Sequence, residues 1–397
     1  MGEISGVPTA DIDNVDGFFT TQSGGGGGSG ITPNSVSNTG TQFYGSASIW
    51  ANPNVTKSFN IGPASTHTFT KVVARQNALQ FHAIKSDGTL WYWSNTNNYT
   101  STAYFTNDST WRQYGTDTDW TDITAGQESF GAIKGGNIMY LGGAWSRMRG
   151  DGSTSSLSNW TTVNSAGNWV KIHHGYRHTW AINSSGEAYS TGYGYDYMTG
   201  QGSTSTISTF TREKNSLTNI VEAAGGYRCA WLRNSSGDVY FTGNNGQGMA
   251  GPQITSSSDQ NGPLLAVDSS TDYVCAKICG HSYHGGCHID SDGYLRFNGE
   301  ASSYMRPDNS TTDKKLGNSG YQLTSAGSGW THYDSAIYSG SSSEHLGIGI
   351  KSGAFWIGGE DSEEFKEVFG QTVNKTWYQV RTGTTTAAQR NGVLVAG

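Results

Sequence analysis

Long apolar runs are missing from this sequence. No stretch approaches the roughly 18 residues that a bilayer-spanning helix needs, so no membrane insertion is expected. Cysteine is scarce, with 4 in 397 residues. That is too few for a disulfide framework and compatible with a reducing compartment. Charge is sparse too: 14% of residues, a formal net charge of −7, and no cluster of Lys and Arg. Such a chain has no electrostatic footprint for nucleic acid or an anionic membrane surface, and it is not a disordered polyelectrolyte. The first nineteen residues contain acidic groups and no apolar core of the secretory kind, so they are not read as a signal peptide. There is no P-loop, no His-Glu-x-x-His and no nucleophile elbow. Paired carboxylates for glycoside cleavage could come from different parts of the chain, but nothing singles out a pair. No cofactor is implied, and no enzymatic activity is expected.

What the chain has in abundance is glycine (56 residues) and aromatics (12%), against a background of Ser, Thr and Asn, with few helix formers. Gly and Asn supply turns, and aromatic and β-branched residues suit pleated surfaces. The expectation is an all-β protein. Its parts recur. Trp169-Val-Lys-Ile172, Gly175, His178, Ala181-Ile182, Ser184-Ser-Gly186 and Ala188-Tyr189 are followed about fifty residues later by Ile220-Val221, Gly226, Cys229, Trp231-Leu232, Ser235-Ser-Gly237 and Val239-Tyr240. The same order begins at Val72, Trp120, Ile278, Trp330 and Trp377, which makes seven copies, with turn glycines at 88, 136, 186, 237, 293, 353 and 392. Each copy is a hairpin module that cannot bury its own flanks, so neighbours must stack. Seven four-stranded units closing into a ring leave no long free edge, which predicts a seven-bladed β-propeller over residues 41–397. A linear β-solenoid is the second choice, because its period is usually shorter. Residues 41–69, with Phe43, Tyr44, Trp50, Phe59 and Phe69, are left to supply strands to the first or last blade.

Trp169, Ile172, Gly175, His178, Ala181, Ile182, Gly186 and Tyr189 carry a pattern that resembles the repeat of the regulator of chromosome condensation family. The resemblance spans about residues 70–397 and implies the propeller fold. It implies little about function, since that fold hosts exchange factors, inhibitors, lectin-like modules and structural proteins. The Gly-Gln-Leu-Gly segment usual after each blade is nearly absent, with Gly246-Gln-Gly248 its clearest remnant, so guanine-nucleotide exchange is not carried over.

Residues 1–21 differ from the rest. Ile4, Val7, Ile12, Val15, Phe18 and Phe19 are spaced apolar residues, and a Gly/Ser-rich stretch over 22–40 follows as a flexible linker. Ile4-Ser-Gly-Val7 and Ile12-Asp-Asn-Val15-Asp-Gly17 resemble the leading peptides of some tailed-bacteriophage virion proteins. The resemblance implies an arm that anchors the chain to other virion proteins, in multiple copies, while the propeller projects toward a host-surface glycan or protein. The alternatives are a disordered tail or a strand completing the main domain.

Cys275, Cys279, His281, His284, Cys287 and His288 form the richest set of metal-ligand types, and zinc is the ion they would take. The repeat offers a plainer account. Cys279 stands before Gly280 as Ala125 stands before Gly126, and Cys287 and His288 fall where Trp180 and Ala181 fall, so core filling is expected and no metal is assigned. His178 shares its repeat position with Ser129 and Cys229, which argues for a turn or core hydrogen-bonder and against a catalytic base. Asp290-Ser-Asp292-Gly293 and Asp11-Ile-Asp13-Asn-Val-Asp16-Gly17 echo calcium loops without the full ligand spacing, so turn chemistry is expected. Tyr193, Tyr195 and Tyr197 are the candidate ligand surface, being aromatic faces in a polar loop. Trp145 and Trp91-Tyr-Trp93 are assigned to packing. The function expected from the arm, hinge and propeller is that of a virion structural protein. The alternatives are a soluble protein-binding propeller or, lower, a glycan-active one.

Overall fold

The structure is a computed structural model. It describes residues 111–299 except 127–128, 145–146, 247 and 280–284, together with 42–45, 60–61, 69–74, 80–94, 321–322, 327–337, 345–352, 354–359, 363–369, 377–386 and 389–396. The described strands form seven antiparallel sheets of four strands each, and there is no α-helix among the described residues. The third sheet shows the plan: Trp169–His174 innermost, then His178–Asn183, Ala188–Gly192 and Ile207–Arg212. Contacts between sheets run in sequence order. Phe69–Ala74 of the first sheet packs on Trp120–Ala125, that strand on Trp169–His174, and so on to Trp377–Thr386, which returns to Phe69–Ala74. The sheets therefore form a closed ring of blades around the innermost strands.

Local chemistry explains why each blade folds this way. In the turn between the second and third strands, Asn183 Oδ1 accepts the N–H groups of Ser185 (3.0 Å) and Glu187 (3.0 Å). Asn234 does the same for Ser236 and Asp238, and Asp290 for Asp292 and Tyr294, so the Asp290 sequence is a turn, as expected. Gly186 sits at φ +73° and Gly237 at φ +91°. A Cβ on Gly186 would lie 2.9 Å from the Asn219 backbone. Glycine is needed both for its left-handed conformation and for this approach. The approach matters because the turn is welded to the next blade: the N–H of Ile220 donates to Gly186 O (2.9 Å), Trp169 to Gly136 (3.0 Å), Cys275 to Gly237 (3.0 Å) and Trp330 to Gly293 (2.9 Å).

A second device recurs in all seven sheets. The first hairpin of each blade slips register at the second residue of the innermost strand, at Thr70, Thr121, Val170, Val221, Ala276, Thr331 and Tyr378. A bulge increases local twist, which a propeller blade requires. Just beyond it, Asp122 of the second blade accepts the Ile172 N–H of the third (2.8 Å), and Glu222 accepts Ile278 N–H of the fifth blade (3.0 Å). Thr124 Oγ1 likewise accepts His174 N–H (3.0 Å). An innermost strand has no ladder partner on its channel side, and side chains of the preceding blade satisfy those donors.

The seventh sheet is made from both ends of the chain. Its order is Asn60–Ile61, Gln42–Gly45, Gln389–Ala396, Trp377–Thr386, so residues from the 41–69 stretch complete the last blade. Gly392 is consequently not a turn glycine. It lies inside Gln389–Ala396, opposite Thr382, because a new piece of chain supplies the third strand and no hairpin is needed there. Residues 1–41, with Ile4, Val7, Ile12, Val15, Phe18 and Phe19 and the echo at Asp11–Gly17, lie outside the described residues, as do Trp145, His281 and His284.

Candidate functional site

Antiparallel order places the loops after the first and third strands of every blade on one face of the ring, and the tight turns on the other. In the third and fourth blades the first-strand loops repeat a tripeptide, Gly175-Tyr-Arg177 and Gly226-Tyr-Arg228. Each arginine carbonyl accepts a backbone N–H from the loop after the third strand: Tyr193 to Arg177 O (2.9 Å) and Asn244 to Arg228 O (3.0 Å). The first pin fixes the start of the Tyr193–Tyr195 segment, and Tyr195 reaches Arg228 of the neighbouring blade.

The result is a closed circuit of six side chains. Tyr193 and Tyr195 stack with ring centroids 5.8 Å apart and planes within 10°. Tyr176 and Tyr227 lie 4.4 Å apart. The Arg177 guanidinium sits over Tyr176 (5.0 Å) and Tyr193 (5.9 Å), and Arg228 over Tyr195 (5.0 Å) and Tyr227 (5.4 Å). Each arginine is thus held between two rings, and little side-chain freedom remains to be lost on binding. Tyr195 is 45% exposed. Asp196 pairs with Arg228 at 3.4 Å, and its carboxyl is pushed above the usual range, first by burial and then by the charge of Asp259. Sequence reasoning found Tyr193 and Tyr195. It missed Tyr176, Arg177, Tyr227 and Arg228, although the Gly-Tyr-Arg repeat was there to see. Tyr197 lies outside the circuit: its φ is +62°, and its carbonyl accepts the Thr242 hydroxyl (2.9 Å) of the next blade.

A buried layer supports this surface. Met148, Met198 and Met249, each from a loop after a third strand, are buried, and the Met148 carbonyl accepts the Thr179 hydroxyl of the next blade (2.9 Å). The segments Met148-Arg-Gly150, Met198-Thr-Gly200 and Met249-Ala-Gly251 recur at this place in blades two, three and four. Beneath the loops, His178 packs between the backbones of Gly175 and Gly225, where added Cβ atoms would meet its ring at 2.3 and 2.5 Å. It was expected to be a hydrogen-bonder. Its ring nitrogens instead find no hydrogen-bond partner among the described residues, and burial holds it neutral, with a pKa lowered to about 3. His174 is lowered to about 3 in the same way, as is His288, whose Nδ1 lies 2.8 Å from the Tyr273 hydroxyl.

The metal-ligand types of the fifth blade are divided. Cys275 joins Cys229, Trp231 and Phe241 in one core cluster, whereas Cys279 and Cys287 join Ile289, Leu295 and Phe297 in another. Among the described residues, no group of His, Cys, Asp or Glu is arranged to hold an ion. Cys279 is also one residue out of the expected register. It aligns with Thr124, His173 and Ala224, not with Ala125, because the innermost strand of this blade, Cys275–Ile278, is short.

Charge separates the two faces. The turn face carries Asp87, Asp117, Asp119, Glu187, Asp238, Asp268 and Asp272, of which Lys85, Lys134 and Arg212 pair with Asp87, Asp117 and Glu187. The loop face of blades two to four gathers Arg147, Arg149, Arg177 and Arg228 against Asp151, Asp196 and Asp259. Among the described residues, the turn face is the more acidic of the two.

No family model matches the chain, and no curated protein matches it. Solved structures do. Human WBSCR16 is similar with a TM-score of 0.66 at 14% identity, covering 90% of this chain and 98% of that one. Prp20p from Saccharomyces cerevisiae, studied with its binding properties to Gsp1p and histones, has a TM-score of 0.66 at 12% identity, covering 91% and 92%. Yeast RCC1 (Prp20) bound to Kap60 has 0.65 at 12%, covering 90% and 89%. At such identities the likeness shows a shared fold, that of the propeller resemblance read in the repeats.

Proposed function

We propose that this chain is a protein-binding propeller, and that it grips its partner with the Tyr-Arg circuit of the third and fourth blades. The observation that carries this reading is the circuit itself: four tyrosines and two arginines locked together on the loop face. Tyr and Arg dominate the energetics of protein interfaces, and rigid anchors cost little entropy to bind. The fold supports the reading, since the similar yeast propeller is described bound to Kap60 and with binding properties to Gsp1p and histones. The partner chemistry that fits is an acidic surface with an apolar or aromatic projection to lie on Tyr195. The test is capture of partners on the immobilised chain, followed by titration of the identified protein. Tyr195→Ala and Arg228→Ala should each weaken it at least about tenfold, as expected of interface anchors, and rising salt should weaken it further. Affinity unchanged in both variants would reject this surface.

A second reading rests on the sequence of residues 1–40 alone: the spaced apolar arm and glycine-rich hinge would seat the chain on a virus particle, with the propeller projecting toward a host-surface protein or glycan. Mass spectrometry of purified particles decides it. The chain should be present, and deletion of residues 1–20 should remove it from particles while leaving the propeller folded.

A further inference from the structure

We infer that Cys279 and Cys287 are a disulfide site that clamps the loop-face end of the fifth blade's first hairpin. Cys275–Ile278 and Gly285–Asp290 pair with Ile278 opposite His288. One step toward the loop face, Cys279 stands opposite Cys287, fixed there by its own N–H donating to the Cys287 carbonyl at 2.9 Å. Directly opposed residues of an antiparallel pair project from the same face with Cβ atoms about 4.5–5.5 Å apart. In a hydrogen-bonded pair the Cα atoms lie about 5.5 Å apart, inside the roughly 4.4–6.8 Å that a disulfide spans, and the Cβ atoms must close by about 1 Å to reach its roughly 3.5–4.5 Å. Both side chains are buried in the same core cluster, with Leu295 and Trp330. The same cross-strand position holds Val73 and His82 in the first blade, Thr124 and Gly131 in the second, His173 and Trp180 in the third, and Ala224 and Trp231 in the fourth. In this set, the fifth blade alone places sulfur on both strands.

The other cysteines are poorly placed to compete. Cys275 begins the innermost strand at the turn-face end, where its N–H meets Gly237, while Cys229 begins its strand at the loop-face end, where its carbonyl accepts the Gly226 N–H. The two are therefore at opposite ends of their strands, and both pack in the other cluster.

The chemistry balances with a low-molecular-weight disulfide as oxidant. One cysteine thiolate attacks it, forming a mixed disulfide and releasing a small thiol. The second cysteine attacks the mixed disulfide, forming the Cys279–Cys287 bond and releasing the second small thiol. The two protons leave the cysteines and end on the released thiols, and the oxidant is reduced by the two electrons the cysteines give up. The attacking species is the thiolate, so the exchange accelerates as pH rises.

The site is tested on the purified full chain, reduced and then incubated folded with glutathione disulfide, quenched in acid and alkylated. Trypsin releases both cysteines in one peptide, Ile278 to Arg296. That peptide should become lighter by two hydrogen atoms and resistant to alkylation, and reductant should reverse the change. The thermal midpoint of the oxidised chain should rise. A Cys229→Ser/Cys275→Ser variant should keep the bond, and Cys279→Ala should abolish it. If Cys279→Ala does not fold, the double variant still decides. Full alkylation of the peptide after incubation, a glutathione adduct that never resolves, or a bond to Cys229 or Cys275 would each overturn the assignment.

Discussion

The buried histidines make the clearest residue-scale prediction. His174, His178 and His288 are neutral in the folded chain, with pKa values lowered to about 3 by burial, whereas an unfolded histidine titrates near 6.5. Between those values the unfolded chain binds more protons than the folded one, so stability is full above pH ~6.5 and falls as pH drops toward 3. Each histidine contributes up to about 1.4 kcal/mol per pH unit inside that window. Denaturant melts at pH 7.5, 6, 5 and 4 should show this decline, and His178→Leu should shallow it by about one proton's worth. Equal slopes for the two proteins would contradict it. At this scale the sequence was informative where a residue acts on its own neighbours. Asn183, Asn234 and Asp290 declare their turns because the acceptor and its donors lie within a few residues. Tyr193 and Tyr195 stand out as aromatics in a polar loop. Arg228 does not, because its contact with Tyr195 arises only when two blades meet.

At the scale of the element, the innermost strands depend on borrowed acceptors. Asp122 is buried, takes the Ile172 N–H, and pairs with Lys71 of the first blade. Asp122→Ala should cost about 3 kcal/mol, since it strands a buried N–H and removes one ion-pair partner of Lys71. Asp122→Asn keeps the acceptor and should cost less than half of that; urea denaturation of the two variants checks the order. Such a role is hard to see in sequence. The third position of the innermost strand reads Lys71, Asp122, Lys171, Glu222 and Lys277 from blade to blade, and it is the neighbour some fifty residues away that explains the acid. The one-residue slip at Cys279 has a similar origin, because strand ends are set by the following loop and not by the repeat rhythm.

At the scale of the whole molecule, the period revealed the ring but not how it shuts. Turn glycines recur in the first five blades among the described residues and the strand pattern in all seven, so the blades were legible. The joining of Gln42–Gly45 to Gln389–Ala396 is a contact between opposite ends of the chain, and no local pattern announces it. Removing residues 1–61 should expose the backbone edge of Gln389–Ala396 and lower the thermal midpoint by about 5 °C or more. Hydrogen exchange in residues 377–396 should rise ahead of that in the third and fourth blades. An unchanged midpoint would show that the last sheet is dispensable.

The interleaved seventh blade also fixes where anything attached to this domain must leave it. Gln42 is paired with Ala396 on the two middle strands of the sheet, so chain entering before the first of these and chain departing after the second share a single exit at the tight-turn end of the seventh blade. The Tyr-Arg circuit belongs to blades three and four, on the far side in ring order. A tether drawn from that exit can hold the disc without crossing the surface proposed to meet its partner, and tag, anchor or fusion at either terminus should be equally tolerated.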